Sequence, residues 1–229
     1  VEFPEVPNRI RYTVEQVEKY TGLHDFGKYL TAMLELDAFF LNEDRHTNNI
    51  AVLYDTEKDC YELSPIFDQG LSLLADTSYD FSLEQPLEDC IKRVEAKPFH
   101  SSFVQQVDAA EELYGIQIHF NFGAKEVQKE LQMLNEGYSE EIIMRVERLL
   151  REQMRRYAYL MDWIENGYVG SISKKEWPLM EGERFSRSMS GHNFFGCVGL
   201  KRRMHSPFTH PFAMRMQQDV QIYIEVQMT

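Results

Sequence analysis

The chain has 229 residues, a formal net charge of −13 and 43% hydrophobic residues, a composition typical of a folded protein with one sizeable core. The negative charge argues against a general nucleic-acid or anionic-membrane binder, because phosphate groups attract Lys and Arg. No apolar run is long enough to cross a membrane, and the three scattered cysteines form no Cys-x-x-Cys pair. We therefore predict reduced thiols, a cytoplasmic location, and no membrane or direct nucleic-acid partner.

Two helices are predicted at the start of the chain. The sequence Thr13-Val-Glu-Gln is a capping-box start for a helix to about Tyr20, which Gly22 ends. Asp25 is the expected N-cap of a second helix that runs to Leu41. The second helix carries apolar residues at helical spacing, so it is predicted to be buried.

A hairpin follows the second helix. Residues 49–55 and 60–67 are predicted strands, joined by the polar turn Thr56-Glu57-Lys58-Asp59. In the simplest register Asn49 stands opposite Asp68, and paired strands lie only about 5 Å apart. The pairing therefore predicts that these two side chains converge at the open end of the hairpin, on the face opposite an apolar one.

The rest of the first 170 residues is predicted to be helical, which makes the fold class mainly α with a small β-hairpin, or α+β. The chain is divided into a body at 1–170 and an atypical, loosely ordered tail at 171–229, because the later residues lack a sustained hydrophobic period. The predicted helices begin at Pro86, at Ser101 or Ser102, at Ala124 and at Ser139, and they end near Ala96, Gly115, Leu134 and Gly167.

The polar loop between the second helix and the hairpin carries the strongest functional signal. Asp44 with Asn49 five residues later has the spacing of a kinase catalytic loop, in which the Asp orients the accepting hydroxyl and the Asn holds a magnesium ion. A second metal-binding Asp should then precede a Gly, and Asp68 in Asp68-Gln69-Gly70 fits that place. Magnesium prefers few carboxylates together with phosphate and water oxygens. Asn49 and Asp68 are therefore the predicted Mg²⁺ ligands.

The order Asn-Glu-Asp-Arg-His-Thr-Asn-Asn, then Pro-Ile-Phe-Asp-x-Gly-x-Ser-Leu, resembles the HipA-like serine/threonine kinases, especially their CtkA-like branch. It is more distantly similar to phosphoinositide kinases. The resemblance implies that Asp44 is the catalytic Asp, that Asn49 and Asp68 bind Mg²⁺, and that His46 is the histidine of the catalytic loop. It also implies ATP as co-substrate and a protein Ser or Thr as acceptor, and some family members act as toxins in toxin–antitoxin pairs. The motif covers residues 33–76.

The residues beside the catalytic Asp have alternative roles. His46 is either a catalytic acid or base or, as the favoured role, a brace of the loop through a hydrogen bond. Arg45 is expected to form a structural ion pair instead of touching phosphate. The sequence Asp25-Phe26-Gly27 spells a kinase metal motif, but it precedes the loop and begins a helix, so Asp25 is interpreted as a cap.

A kinase also needs an N-terminal lobe that covers ATP with a Gly-rich loop and supplies a strand lysine. The residues before Asp44 predict helices instead, so the expected architecture is a kinase large lobe whose nucleotide lobe is absent from this chain. The expected partners are a protein substrate and an N-lobe or antitoxin-like protein. Two alternatives stay open: an inactive kinase-like binding module, and a kinase for a lipid or small molecule.

Overall fold

The computed structural model describes residues 5–165, 168–170, 196–198, 200–201 and 223–224, with side chains for residues 5–162. This part of the chain is mainly α with a small antiparallel hairpin, which confirms the predicted class. The helices are α1 (Val6–Thr21), α2 (Phe26–Phe40), α3 (Leu87–Arg93), α4 (Phe103–Tyr114), α5 (Ala124–Gln132) and α6 (Glu140–Arg156), with 3₁₀ helices at Thr47–Asn49 and Ala158–Leu160. The strands are β1 (Val52–Asp55), β2 (Cys60–Leu63), β3 (Ile118–Phe120), β4 (Trp163–Glu165), β5 (Tyr168–Gly170), β6 (Gly196–Val198), β7 (Leu200–Lys201) and β8 (Tyr223–Ile224).

The described residues fall into two compact units, with the first division after Gln117. The first unit contains α1 to α4 and the hairpin of β1 and β2, and the second contains β3, α5, α6 and the short strands β4 to β8. None of the helices in the described part of the chain is both long and apolar enough to cross a membrane. Most of the predicted tail at 171–229 lies outside the described residues, so its separation from the body stays a prediction.

Helix α1 begins earlier than predicted. Val6 and Pro7 open it, and proline suits a first helical turn because it has no N–H to leave unpaired and its φ is already helical. Thr13 lies inside the helix instead of capping it, and its hydroxyl donates to the carbonyl of Arg9 at 2.9 Å. The predicted end is confirmed, since Gly22 is the C-cap with φ 77° in the left-handed region.

Helix α2 is the buried centre of the first unit, as its apolar sequence predicted. Of its 15 residues, 14 are buried, and it packs against α1 and α4. Asp25 lies at the expected N-cap position, and its side chain pairs with Lys28 at 3.0 Å. Gly27 permits close packing, because a Cβ there would collide with the ring of Tyr114 on α4. Gly27 of this sequence therefore serves helix packing, whereas the Asp25 side chain makes no capping hydrogen bond.

The hairpin forms as predicted, but its strands are shorter and its register differs. Val52 pairs with Leu63 and Asp55 with Cys60, which shifts the pairing by two residues. The physical reason is the turn. The Asp55 carboxylate accepts the N–H groups of Glu57 and Lys58, at 2.9 and 3.1 Å, and so closes a tighter loop. Because the shift is even, each side chain keeps its predicted face. The expected pairing of Asn49 with Asp68 is wrong.

The next two helices agree with their sequence signals. Helix α3 starts directly after Pro86 and is shorter than predicted, ending at Arg93. Helix α4 is capped by Ser102, whose side chain accepts the N–H of Gln105 at 3.4 Å, and Gly115 ends it. Residues 94–102 form the loop that connects the two helices.

In the second unit, α6 is capped by Ser139 as predicted but ends at Arg156, well before the predicted end near residue 167. Residues 157–161 are buried at every position, which departs from the 3.6-residue period of a one-sided helix. Met161 instead forms a β-bridge with Phe120 of β3. The sequence did not predict β3 as a strand.

Candidate active site

The loop after α2 holds Asp44 in place through its main chain while leaving its carboxylate accessible. Leu41 ends α2 in the left-handed conformation with φ 54°, which turns the chain sharply. The side-chain oxygen of Asn42 then accepts the N–H of Asp44 at 3.2 Å. The Asp44 side chain is 32% exposed, so a molecule in solution could reach it.

Asp44 and Asp68 converge, together with His46. One donor atom from each of the three side chains lies within 4.8 Å of the other two. Asp68 is exposed and has a φ of 59°, a left-handed conformation that Asp tolerates better than most residues. The side-chain amide of Asn42 donates to the Asp68 carbonyl at 3.3 Å and so ties the two loops together. The convergence is formed by loops and not by the strand pairing that the sequence suggested.

A buried ion pair underlies these loops. Asp37 of α2 and Arg45 are both fully buried, and two guanidinium nitrogens donate to the two carboxylate oxygens at 2.7 and 3.0 Å. This is the structural ion pair expected of Arg45. The Asp37 carboxylate also accepts from the amides of Asn42 and Gln69, each at 2.9 Å. One carboxylate in the core therefore organises the residues on both sides of the site.

The same guanidinium places Asn49. Nη1 of Arg45 donates to the carbonyls of Asn49 and Phe67 at 2.9 and 2.8 Å, so the main chain of Asn49 lies close to the residue before Asp68. Asn49 is buried in a 3₁₀ turn, and its side-chain nitrogen donates to the Asp44 carbonyl at 3.0 Å. Its side-chain oxygen is then the atom that could bind a metal.

His46 supports the loop through its main chain. Its N–H donates to the Asp44 carbonyl at 2.8 Å, and its carbonyl accepts the N–H of Asn49 at 2.9 Å. The imidazole is 43% exposed, and its Nε2 lies 3.9 Å from a carboxylate oxygen of Asp44, beyond hydrogen-bond range. Among the described residues, the expected bracing hydrogen bond from the side chain is therefore not found.

The charges around Asp44 are of both signs. Nζ of Lys97 lies 3.3 Å from Oδ1 of Asp44. The pKa of the neighbouring Glu43 carboxyl is raised, because partial burial disfavours its charged form and the carboxylates of Asp80, Asp76 and Asp44 repel it, while Lys97 opposes the shift. Asp44 thus has a lysine on one side and the partly buried carboxyl of Glu43 next to it in sequence.

The convergence of Asp44, His46 and Asp68 could hold a metal ion. The carboxylates of Asp44 and Asp68 converge on loops that the Arg45 network joins, and carboxylate oxygens are ligands that Mg²⁺ accepts while keeping water and phosphate oxygens in its remaining positions. Asp68 and Asn49 are the residues that would hold such an ion. The imidazole of His46 is a ligand type that suits transition metals such as zinc, so the oxygen atoms of the site suit magnesium better than its nitrogen does.

Compared with known proteins, the chain matches no family model, and it matches no curated protein and no solved structure at a significant level. The assignment of function therefore rests on the motif residues and on the geometry of the site.

Four residues of the site were not among those predicted: Asp37, Asn42, Gln69 and Lys97. A signal for Asp37 exists, because a carboxylate in the middle of an apolar helix requires a buried partner. Asn42 and Gln69 lie within the motif but have no pattern of their own. Lys97 is 53 residues from Asp44 in sequence, and no local pattern connects them.

Proposed function

We propose that the chain is the large lobe of a HipA-like kinase, which transfers a phosphoryl group from Mg²⁺-bound ATP to a Ser or Thr hydroxyl of a protein. The observation that carries the proposal is the convergence of Asp44 and Asp68 within 4.8 Å, on loops that share the buried Asp37–Arg45 pair. In phosphoryl transfer the protein mainly positions groups and neutralises charge, and a rigid polar scaffold suits both tasks.

Each residue has one task in the proposed reaction. Asp44 accepts a hydrogen bond from the acceptor hydroxyl and orients its oxygen toward the γ-phosphorus of ATP. Asp68 and Asn49 would hold the ion, which would supply charge neutralisation for the phosphates of ATP. Arg45 fixes the positions of both loops by donating hydrogen bonds to the carbonyls of Asn49 and Phe67.

Asp68→Asn is expected to weaken magnesium-dependent nucleotide binding on the order of 10-fold or more, because it removes the charge of a metal ligand. A magnesium titration of ATP binding by the full-length protein measures this. Asp59→Asn is the matched control, since Asp59 is also exposed and has a similar left-handed φ of 52°. If the two variants titrate alike, Asp68 does not hold the metal.

A second candidate function is a kinase-like binding module without catalysis. It is favoured by the described residues that precede Asp44, which form the helices α1 and α2 and contain no strand. A nucleotide lobe would place a Gly-rich loop and a strand lysine there. The module would use the same surface to bind a protein without transferring phosphate.

Residues 1–229 alone are expected to bind Mg²⁺-ATP weakly or not at all, since the described residues before Asp44 form helices instead of a phosphate-cradling loop, and metal ligands alone rarely hold a nucleotide tightly. Isothermal calorimetry with Mg²⁺-ATP measures the affinity. Micromolar affinity would mean that this chain carries its own nucleotide site. It would count against the proposal that a separate lobe binds the nucleotide, and against the binding module.

A further inference from the structure

The loop between α3 and α4 is anchored so that it presents Lys97 to the site. Arg9 of α1 donates from Nη1 and Nη2 to the carbonyls of Phe99 and Pro98, at 2.6 and 2.9 Å. The N–H of Phe99 donates to the buried side chain of Gln106 at 3.0 Å. The ring of Phe99 is itself buried. Three hydrogen bonds and a buried ring therefore fix the main chain directly after Lys97.

The other side of the loop is fixed as well. The N–H of Ala96 donates to the carbonyl of Ser101 at 2.8 Å, and the Ala96 side chain is buried. Lys97 is thus held between two anchored neighbours, while its own side chain is 52% exposed. Such an arrangement is unlike an ordinary surface lysine on a mobile loop, because only the four-carbon stem remains to move.

The ammonium group of Lys97 reaches the catalytic carboxylate. Its Nζ lies 3.3 Å from Oδ1 of Asp44, whereas the other oxygen, Oδ2, faces His46. An acceptor hydroxyl bonded to Asp44 would lie about 3 Å from it, and the attacked phosphorus roughly 3–3.5 Å further. A phosphoryl group at that distance is within the range of a lysine stem that already reaches Asp44.

We propose that Lys97 is a catalytic residue of this site, which neutralises the charge of the transferred γ-phosphoryl group. The inference rests on the proposed function. In the transfer, a bond forms between the acceptor oxygen and the γ-phosphorus, and the bond from that phosphorus to the bridging oxygen of ATP breaks. The electron pair of the broken bond leaves with ADP, and the hydroxyl proton passes to Asp44. Lys97 donates hydrogen bonds to the γ-phosphoryl oxygens throughout and pairs with Asp44 when no substrate is bound.

A lysine in this position acts on the transition state more than on folding. An exposed ion pair contributes little to stability, so the pair with Asp44 does not explain why the loop is anchored. A cation close to the phosphoryl oxygens, by contrast, lowers the barrier for the transfer of charge.

The test compares Lys97→Met, Lys97→Arg and Lys92→Met in the full-length protein, with Asp44→Asn beside them. Lys92 is an exposed lysine on α3 and serves as the matched control. Lys97→Met should lower kcat on the order of 10-fold to 10²-fold with KM for ATP and the melting temperature close to wild type. Lys97→Arg, which keeps the charge, should recover most of the loss. Lys92→Met should behave as wild type.

The outcomes separate this inference from the proposed function. If Asp44→Asn is inactive and Lys97→Met keeps the wild-type kcat, the role of Lys97 is overturned and the kinase assignment stands. A rise in kcat would also overturn it, since Lys97 would then block Asp44. Equal loss in Lys97→Met and Lys97→Arg with a lowered melting temperature would assign Lys97 a purely structural role. If the wild type transfers no phosphate from Mg²⁺-ATP, both proposals fall.

Discussion

Asp44→Asn is expected to reduce phosphoryl transfer by about 10²–10⁴-fold while leaving the protein folded. Asn cannot take the proton of the acceptor hydroxyl, and it has nearly the volume of Asp. The main-chain contacts of the loop do not involve the carboxylate, because Asn42 accepts the N–H of residue 44 and Asn49 donates to its carbonyl. Incorporation of radiolabelled phosphate from ATP into a protein substrate measures the loss.

Asp89→Asn is the matched control for this experiment. Asp89 is an exposed carboxylate in the first turn of α3, so the same chemical change is made away from the site. The control should transfer phosphate at the wild-type rate, and both variants should keep the wild-type circular dichroism spectrum. A wild-type rate in Asp44→Asn would exclude this carboxylate as the group that orients the acceptor.

The fold could be predicted from the sequence where hydrophobic period and end signals agree. Helix α2 has apolar residues on nearly every side, which is typical of a fully buried helix, and the structure buries 14 of its 15 residues. Gly22, Gly115 and the Ser139 cap marked helix ends correctly, because their chemistry is local. The predicted start of α1 was wrong, because Thr13 matches a capping pattern but lies inside the helix, where its hydroxyl donates to the carbonyl of Arg9.

A sequence pattern determines some features of a strand pairing and leaves others open, as the hairpin of β1 and β2 shows. Alternation has a period of two, so it assigns each side chain to a face and leaves any shift of two residues open. The carboxylate of Asp55 decides the register by closing the turn, and nothing in the apolar pattern reports that contact. The predicted route by which Asn49 reaches Asp68 was therefore wrong.

The site itself depends on contacts that are distant in sequence. Motif spacing singled out Asp44 and Asp68, and the structure brings their side chains together. Their convergence depends on the left-handed residues Leu41 and Asp68 and on the guanidinium of Arg45. These features belong to tertiary structure, and strained backbone positions of this kind cannot be derived from local propensity.

Arg45→Met is expected to destabilise the protein by about 3–5 kcal/mol, because it leaves the fully buried Asp37 carboxylate without its countercharge. The carbonyls of Asn49 and Phe67 would lose their donor as well. Urea unfolding followed by circular dichroism measures the change. Arg151→Met is the control, since Arg151 makes an exposed pair with Glu147 on α6, and it should cost less than about 1 kcal/mol.

The double variant Asp37→Asn/Arg45→Met separates the charge from the rest of the network. Removing the carboxylate charge removes the uncompensated ion, so the double variant should be more stable than Arg45→Met alone, although the two orphaned carbonyls keep it below wild type. The double-mutant cycle then gives the coupling between the two residues. If Arg45→Met unfolds at the wild-type urea concentration, the pair does not hold the loops. In that case Asp44 and Asp68 must be positioned by the amides of Asn42 and Gln69, whose bonds to Asp37 would survive the substitution.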